Sequence, residues 1–183
     1  MSVSVLFANE PARGDGEQDG KEARARSLFK EGRVEMGAGN YSEACPKFAD
    51  SKTLDPGAGT MLNLAYCYEK LGRAAAAWAE YRAAALAAHE HGRVDWENAA
   101  RERAERLETR LVWVVVHAEA QPDGALLAVR LDGDPMSAAA LERPLPVDPG
   151  HHEVSVAAVG RRPWSTTFEA DGEHVSTIAI PVL

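Results

Sequence analysis

Basic residues are in short supply: 20 Lys and Arg stand against 28 Asp and Glu, for a formal charge of -8. Nucleic acid is held through a basic footprint on its phosphates, so this balance excludes it as a partner. Long apolar runs are missing too. None approaches the roughly 20 residues a membrane-spanning helix requires, so the chain does not read as membrane-spanning. Cysteine is nearly absent: two in 183 residues, Cys45 and Cys67, permit one pair and no disulfide framework. Signatures of catalysis are lacking as well. There is no Gly-x-Ser-x-Gly elbow, no phosphate-cradling loop and no Gly-x-Gly-x-x-Gly. Asp132-Gly133 and Asp148-Pro149-Gly150 place carboxylates at turns, where aspartate satisfies local amides. His89 and His91 point to different sides of a helix, and His151 and His152 to opposite faces of a strand, so neither pair suits zinc. No metal, no cofactor and no enzyme activity is expected.

What the chain does contain is a pattern written twice. Gly32, Gly39, Ala44, Phe48 and Ser51 are answered by Ala65, Gly72, Ala77, Tyr81 and Ala84, small for small and aromatic for aromatic. A period in the low thirties with such offsets marks stacked helix-turn-helix units. The first helix runs from about Glu22 to Ala38, with Ala25, Leu28, Phe29, Gly32 and Met36 at helical spacing and Gly37 and Gly39 at its end. Ser42 is placed to cap the second helix, which stops at Asp55-Pro56-Gly57. Thr60 is placed to cap the third, which ends at Gly72; the fourth spans Ala74 to His91. Two such units leave an apolar face open. The segment Arg93 to Arg110 covers it, with Trp96, Ala100, Leu107 and Leu111 on one stripe and Glu97–Arg101 and Glu102–Arg106 pairs on a solvated face.

After Arg110 the pattern changes to short β-branched runs bounded by Gly, Pro and Asp, with turn signals about every ten residues, as in a small all-β sandwich. Ahead of the helices, Arg13 to Gly20 reads as disordered linker. Val3, Val5, Leu6, Phe7 and Ala8 before it read either as a frayed N-terminus or as the remnant of a signal peptide. The expected organisation is α+β in two domains. Residues 1–21 are a disordered N-terminus or signal remnant, 22–110 an antiparallel helix-pair solenoid with a cap helix, and 111–183 the sandwich.

The helical residues resemble the tetratricopeptide repeat: Gly32, Gly39, Tyr41, Ala44, Phe48, Ser51 and Pro56 in the first unit, Ala65, Gly72, Ala77, Tyr81 and Ala84 in the second. Ala74 stands where Tyr is usual, Glu31 where Leu is usual, and no proline follows Ala84. The C-terminal half resembles the PEGA module through Leu131-Asp132-Gly133, Pro144-Leu145-Pro146-Val147, Pro149-Gly150-His151, the strand Glu153 to Ala157, and Gly160. Asp134 to Arg143 replaces that family's short connection, and Arg143 stands where Thr is common. Together the resemblances imply a bacterial envelope protein, periplasmic or secreted, acting in protein-protein interaction or as a scaffold. A cytoplasmic location stands if no signal sequence lies upstream.

In the repeat family the inner face of each unit's first helix lines a groove. The resemblance assigns that role to Arg26, Phe29, Lys30, Arg33 and Met36, then to Leu62, Asn63, Tyr66, Glu69 and Lys70. Lys30, Arg33, Asn63 and Lys70 are suited to a peptide's carboxylates. The family's carboxylate clamp is incomplete, because Phe29 takes the first lysine offset and Arg33 the asparagine offset. Cys45 and Cys67 fall on helices that pack together in this fold. They form a disulfide in an oxidising compartment, closing a loop of about 22 residues worth about 3 kcal/mol, and are two buried thiols in a reducing one. The implied partner is a peptide or protein segment. The alternative is a cell-wall or glycan component bound by the β-domain, on which Trp113 and Trp164 are the stacking candidates, although both also suit core packing.

Overall fold

A computed structural model describes residues 13–171 and 176–183. Five helices come first: α1 (Arg13–Gly37), α2 (Tyr41–Leu54), α3 (Ala58–Lys70), α4 (Ala74–Glu90) and α5 (Val94–Glu108). Seven strands follow: β1 (Val112–Ala118), β2 (Ala128–Leu131), β3 (Asp134–Pro135), β4 (Pro144–Val147), β5 (Gly150–Ala157), β6 (Trp164–Ala170) and β7 (Ser176–Ile180). The chain is therefore α+β, helices before sheets.

Each helix packs on the next in sequence, as short connections dictate. The α1–α2 and α3–α4 turns share one construction. Gly39 (φ +82°) and Gly72 (φ +76°) are left-handed, a conformation that glycine adopts without a Cβ penalty. Beyond them the amides of Asn40 and Arg73 reach back to the carbonyls of Glu35 and Tyr68, closing the exposed helix ends. Two caps differ from expectation. Asn40, not Ser42, occupies the cap position of α2, and its side chain bonds Glu35 Oε2 at 2.9 Å in place of the helix amides. Gly57 precedes α3, so Thr60 lies inside its first turn. Pro56 ends α2 so abruptly that the chain re-enters a helix within two residues.

Arg13 to Gly20, expected as linker, is the start of α1. Adding residues to an existing helix gains one hydrogen bond per residue fixed, and Lys21 pairs with Glu17 at 2.8 Å on the turn so formed. The apolar run Val3 to Ala8 lies outside the described residues.

Two clusters fill the helical part. Ala44, Cys45, Phe48, Leu64 and Cys67 form the first, with Phe29 and Met36 packed on it. The Gly32–Phe48 pair is its tightest point: a Cβ on Gly32 would stand 2.9 Å from the Phe48 ring. Cys45 and Cys67, Cα atoms 5.6 Å apart, are joined in a disulfide that ties α2 to α3. The second cluster holds Ala65, Ala74, Ala77, Trp78, Tyr81, Ala84, Ala85, Ala100, Ala104, Leu107 and Leu111. Alanine dominates because α3, α4 and α5 approach closely, with Trp78 and Tyr81 filling the remaining space.

The strands form a three-stranded sheet, β4-β1-β7, and a four-stranded sheet, β3-β2-β5-β6. Strand β1 runs antiparallel to β4 and parallel to β7. Val116 and Ile180 from the first sheet and Val129, Val154 and Val156 from the second share one core. The two prolines of β4 are tolerated because that strand lies at an edge.

The helices and sheets also touch each other. Leu111 belongs to the second helical cluster, and Trp113 on β1 meets Trp78 of α4 edge-on, ring centres 5.6 Å apart. The Ala75 amide in the first turn of α4 donates to Asp148 Oδ1 at 2.7 Å. No side chain of the local sequence caps α4. Asp148, between β4 and β5, takes that place from the β half.

Candidate functional site

The predicted groove residues fall into two neighbouring groups. Arg26, Phe29 and Lys30 of α1 line a cavity of about 320 Å³ with Ala25, Ser51, Asp55 and Thr60. Arg33 is exposed one turn further along the same face of α1. Phe29 lies edge-on to Phe48, ring centres 5.7 Å apart, so the cavity's apolar wall is fixed by the core behind it. Ser51, the one buried polar residue among those described, donates to the Ala25 carbonyl at 2.9 Å and so presents no free donor to the cavity.

The second group is on α3. The Tyr66 ring has Lys70 Nζ at 5.2 Å and Arg103 Cζ at 5.5 Å from its centre, and Tyr41 edge-on at 6.3 Å. Cations over an aromatic face are attracted by its quadrupole. Asn63 stands between the groups, and its amide donates to the Gly59 carbonyl at 2.7 Å. That bond uses one of its two amide N–H groups, leaving the other and the carbonyl oxygen for a ligand. Met36, expected along the groove, packs into the first core cluster.

Charge on these faces is sorted. Glu69 Oε2 accepts from the Tyr81 hydroxyl at 2.9 Å and from Arg103 at 3.1 Å. Burial first, and then the adjacent Glu69 carboxylate, push the Tyr81 phenol far above its ordinary range, so it serves as a donor only. Glu31, standing where the repeat family has an apolar residue, bonds Lys47 of α2 at 3.1 Å, and Lys47 first and Ser27 next hold its carboxyl below the usual value. Among the described residues, Lys30, Arg33 and Lys70 have no carboxylate within ion-pair distance. Asp55 is the one acidic residue lining the cavity. On a chain carrying a net charge of -8, these three cations are thus left without a direct ion-pair partner.

Arg103 escaped the sequence reading, which treated α5 as a solvated cap. The signal was present: Arg103 lies three residues after Ala100 and four before Leu107, both buried. A cation on an apolar stripe has to find a partner inside the fold, and Glu69 is that partner.

Elsewhere four histidines pair with carboxylates. His89 meets Glu97, His117 meets Glu142, His151 meets Glu169 and His152 meets Asp132. Trp164 borders a cleft of about 460 Å³ on the larger sheet with Arg130, Glu153, Ser155 and Ser165. Among the described residues no helix is long and apolar enough to cross a membrane. No protein-family model matches the chain, and a search of the curated proteins found no match.

Proposed function

We propose that this protein is a non-enzymatic interaction or scaffold module of the bacterial envelope. In this reading α1 to α4 are two tetratricopeptide-type repeats, α5 is their cap, and residues 111–183 are a PEGA-like sandwich. The helical faces of α1 and α3 hold a peptide or protein segment that bears carboxylates and one apolar side chain. The observation that carries this is an apolar cavity of about 320 Å³ walled by Phe29 and Lys30, with Arg33 further along α1 and Lys70 on α3, none of the three cations in an ion pair among the described residues. Unpaired cations beside a preformed apolar recess gain from an anionic ligand without first breaking an internal ion pair. The surface is short, so the segment it takes is short.

Affinity capture with the intact chain tests this. The intact chain is required because Leu111 and Trp113 complete the helical core. Wild type is expected to retain an acidic partner at low ionic strength and release it as salt rises. The doubly reversed variant Lys30→Glu/Arg33→Glu is expected to lose that partner while folding normally. Equal capture by both proteins would remove the groove from consideration.

A second reading assigns the active surface to the β half, as a cell-wall or glycan binder. It rests on Trp164 beside the polar residues of the 460 Å³ cleft, since an aromatic face flanked by hydrogen-bonding groups suits a sugar ring. Retention on purified cell wall that survives the Lys30/Arg33 reversal and fails with Trp164→Ala would favour it.

A further inference from the structure

His152 occupies an unusual position on β5. Its side chain is 11% exposed, and its ring stacks on Phe168 of β6 at 5.4 Å between centres. Both ring nitrogens face oxygen acceptors: Nδ1 lies 2.6 Å from Asp132 Oδ2, and Nε2 lies 2.6 Å from the Asp148 carbonyl oxygen. A neutral imidazole has one N–H, so it can satisfy one of these contacts and must set a lone pair against the other. Only the doubly protonated ring donates to both.

The two acceptors are themselves committed. Asp132, in the β2–β3 turn with φ of +52°, also accepts from the Glu153 amide at 2.9 Å, so its carboxylate is held in place. Asp148 presents its carbonyl to His152 and its carboxylate to the first turn of α4, where Ala75 N–H donates at 2.7 Å. One residue thus joins the histidine to the helical half. The other charged groups near this junction are Asp134 of β3 and Arg73 at the start of α4, both lining a cavity of about 560 Å³ with Asp132, Asp148 and His152. From strand β6 the Phe168 ring packs on the histidine, and Glu153, the neighbour on β5, is exposed on the other face of the strand.

We propose that His152 is a proton-dependent latch: charged, it fixes the Asp148 turn so that its carboxylate caps α4, and neutral, it releases that turn and loosens the β half from the helices. Burial opposes the charge, but the Asp132 carboxylate and the Asp148 carbonyl outweigh it and hold the ring above the ordinary 6.5. The sign follows. The contribution is complete below pH 6.5, where both folded and unfolded rings are charged, and is lost as pH rises through the higher folded value.

Nitrogen-15 NMR on the intact chain tests the latch. At pH 6.5 both His152 nitrogens are expected to carry protons. As the ring deprotonates, the exchange protection of the Ala75 amide, corrected for intrinsic rate, is expected to fall about tenfold, while α2 amides keep theirs. His152→Gln, which can donate one bond at any pH, is expected to make Ala75 protection independent of pH. A ring already neutral at pH 6.5, or Ala75 protection that stays level in wild type across the titration, overturns the proposal. The wild-type titration decides the matter even if His152→Gln fails to fold.

Discussion

Replacing Gly32 with alanine sets two effects of the same residue change against each other. Alanine is the better helix former, by about 1 kcal/mol in a helix interior. At Gly32, however, the new methyl would lie 2.9 Å from Phe48 Cε1 and 3.1 Å from Cδ1 and Cζ, well inside the roughly 3.5–4.0 Å optimum for carbon pairs. Phe48 has nowhere to go. It is fully buried, meets Phe29 edge-on, and is enclosed by Ala44, Leu64 and the bonded Cys45 and Cys67. Overpacking of such a site costs about 1–3 kcal/mol, so Gly32→Ala is expected to destabilise by about 1 kcal/mol net. Gly20 lies in the same helix with nothing within 4 Å of its would-be Cβ. There the propensity gain stands alone, and Gly20→Ala is expected to stabilise by about 0.5–1 kcal/mol. Urea unfolding followed by far-ultraviolet circular dichroism measures both, and Phe48→Leu in the Gly32→Ala background is expected to recover part of the loss. If Gly32→Ala raised the midpoint as Gly20→Ala does, the small-against-aromatic account of the α1–α2 pair would be refuted. The same substitution bears on the groove, because a displaced Phe48 moves Phe29 and with it the cavity wall.

Other outcomes follow from single contacts. Reducing the Cys45–Cys67 bond, which spans 22 residues, is expected to lower stability by about 3 kcal/mol on the loop-entropy model, read from urea midpoints with and without reductant. A midpoint unmoved by reductant would show that the bond does not constrain the unfolded chain. Asp148→Ala removes the cap on α4 and is expected to destabilise by about 1 kcal/mol, with the loss concentrated in hydrogen exchange at the start of α4. An effect confined to the β4–β5 turn would argue against capping.

Much of the helical half was legible because its determinants are close together in sequence. Small and aromatic residues one turn apart on neighbouring helices, and left-handed glycines at Gly39 and Gly72, act within a few residues of where they stand. The strands were legible for the same reason: β-branched alternation between turn residues is a local signal. The caps were misread because Ser42 and Thr60 are good capping residues that arrive after the helix has already begun. The start of α1 was misread because composition reports what a segment prefers alone, not what an adjoining helix can propagate through it. Of the proposed groove, the exposure of Lys30 and Arg33 follows from the helical spacing of α1. The Asn63 bond to Gly59 and the engagement of Glu69 by Tyr81 and Arg103 could not be read this way, since they depend on rotamers and on helices far apart in the chain.

By itself the sequence determined that a helical region precedes a β region, which residues of the helices face their core, and that the chain is acidic overall. These follow from periodicity and charge, which act residue by residue along the chain. The tertiary structure alone decided how the halves meet. The Asp148 cap on Ala75 joins positions 73 residues apart, and Trp78 reaches Trp113 across the same junction. Whether a turn aspartate satisfies its own loop or a distant helix depends on which backbone amides folding leaves unpaired nearby, and that is a property of the assembled chain.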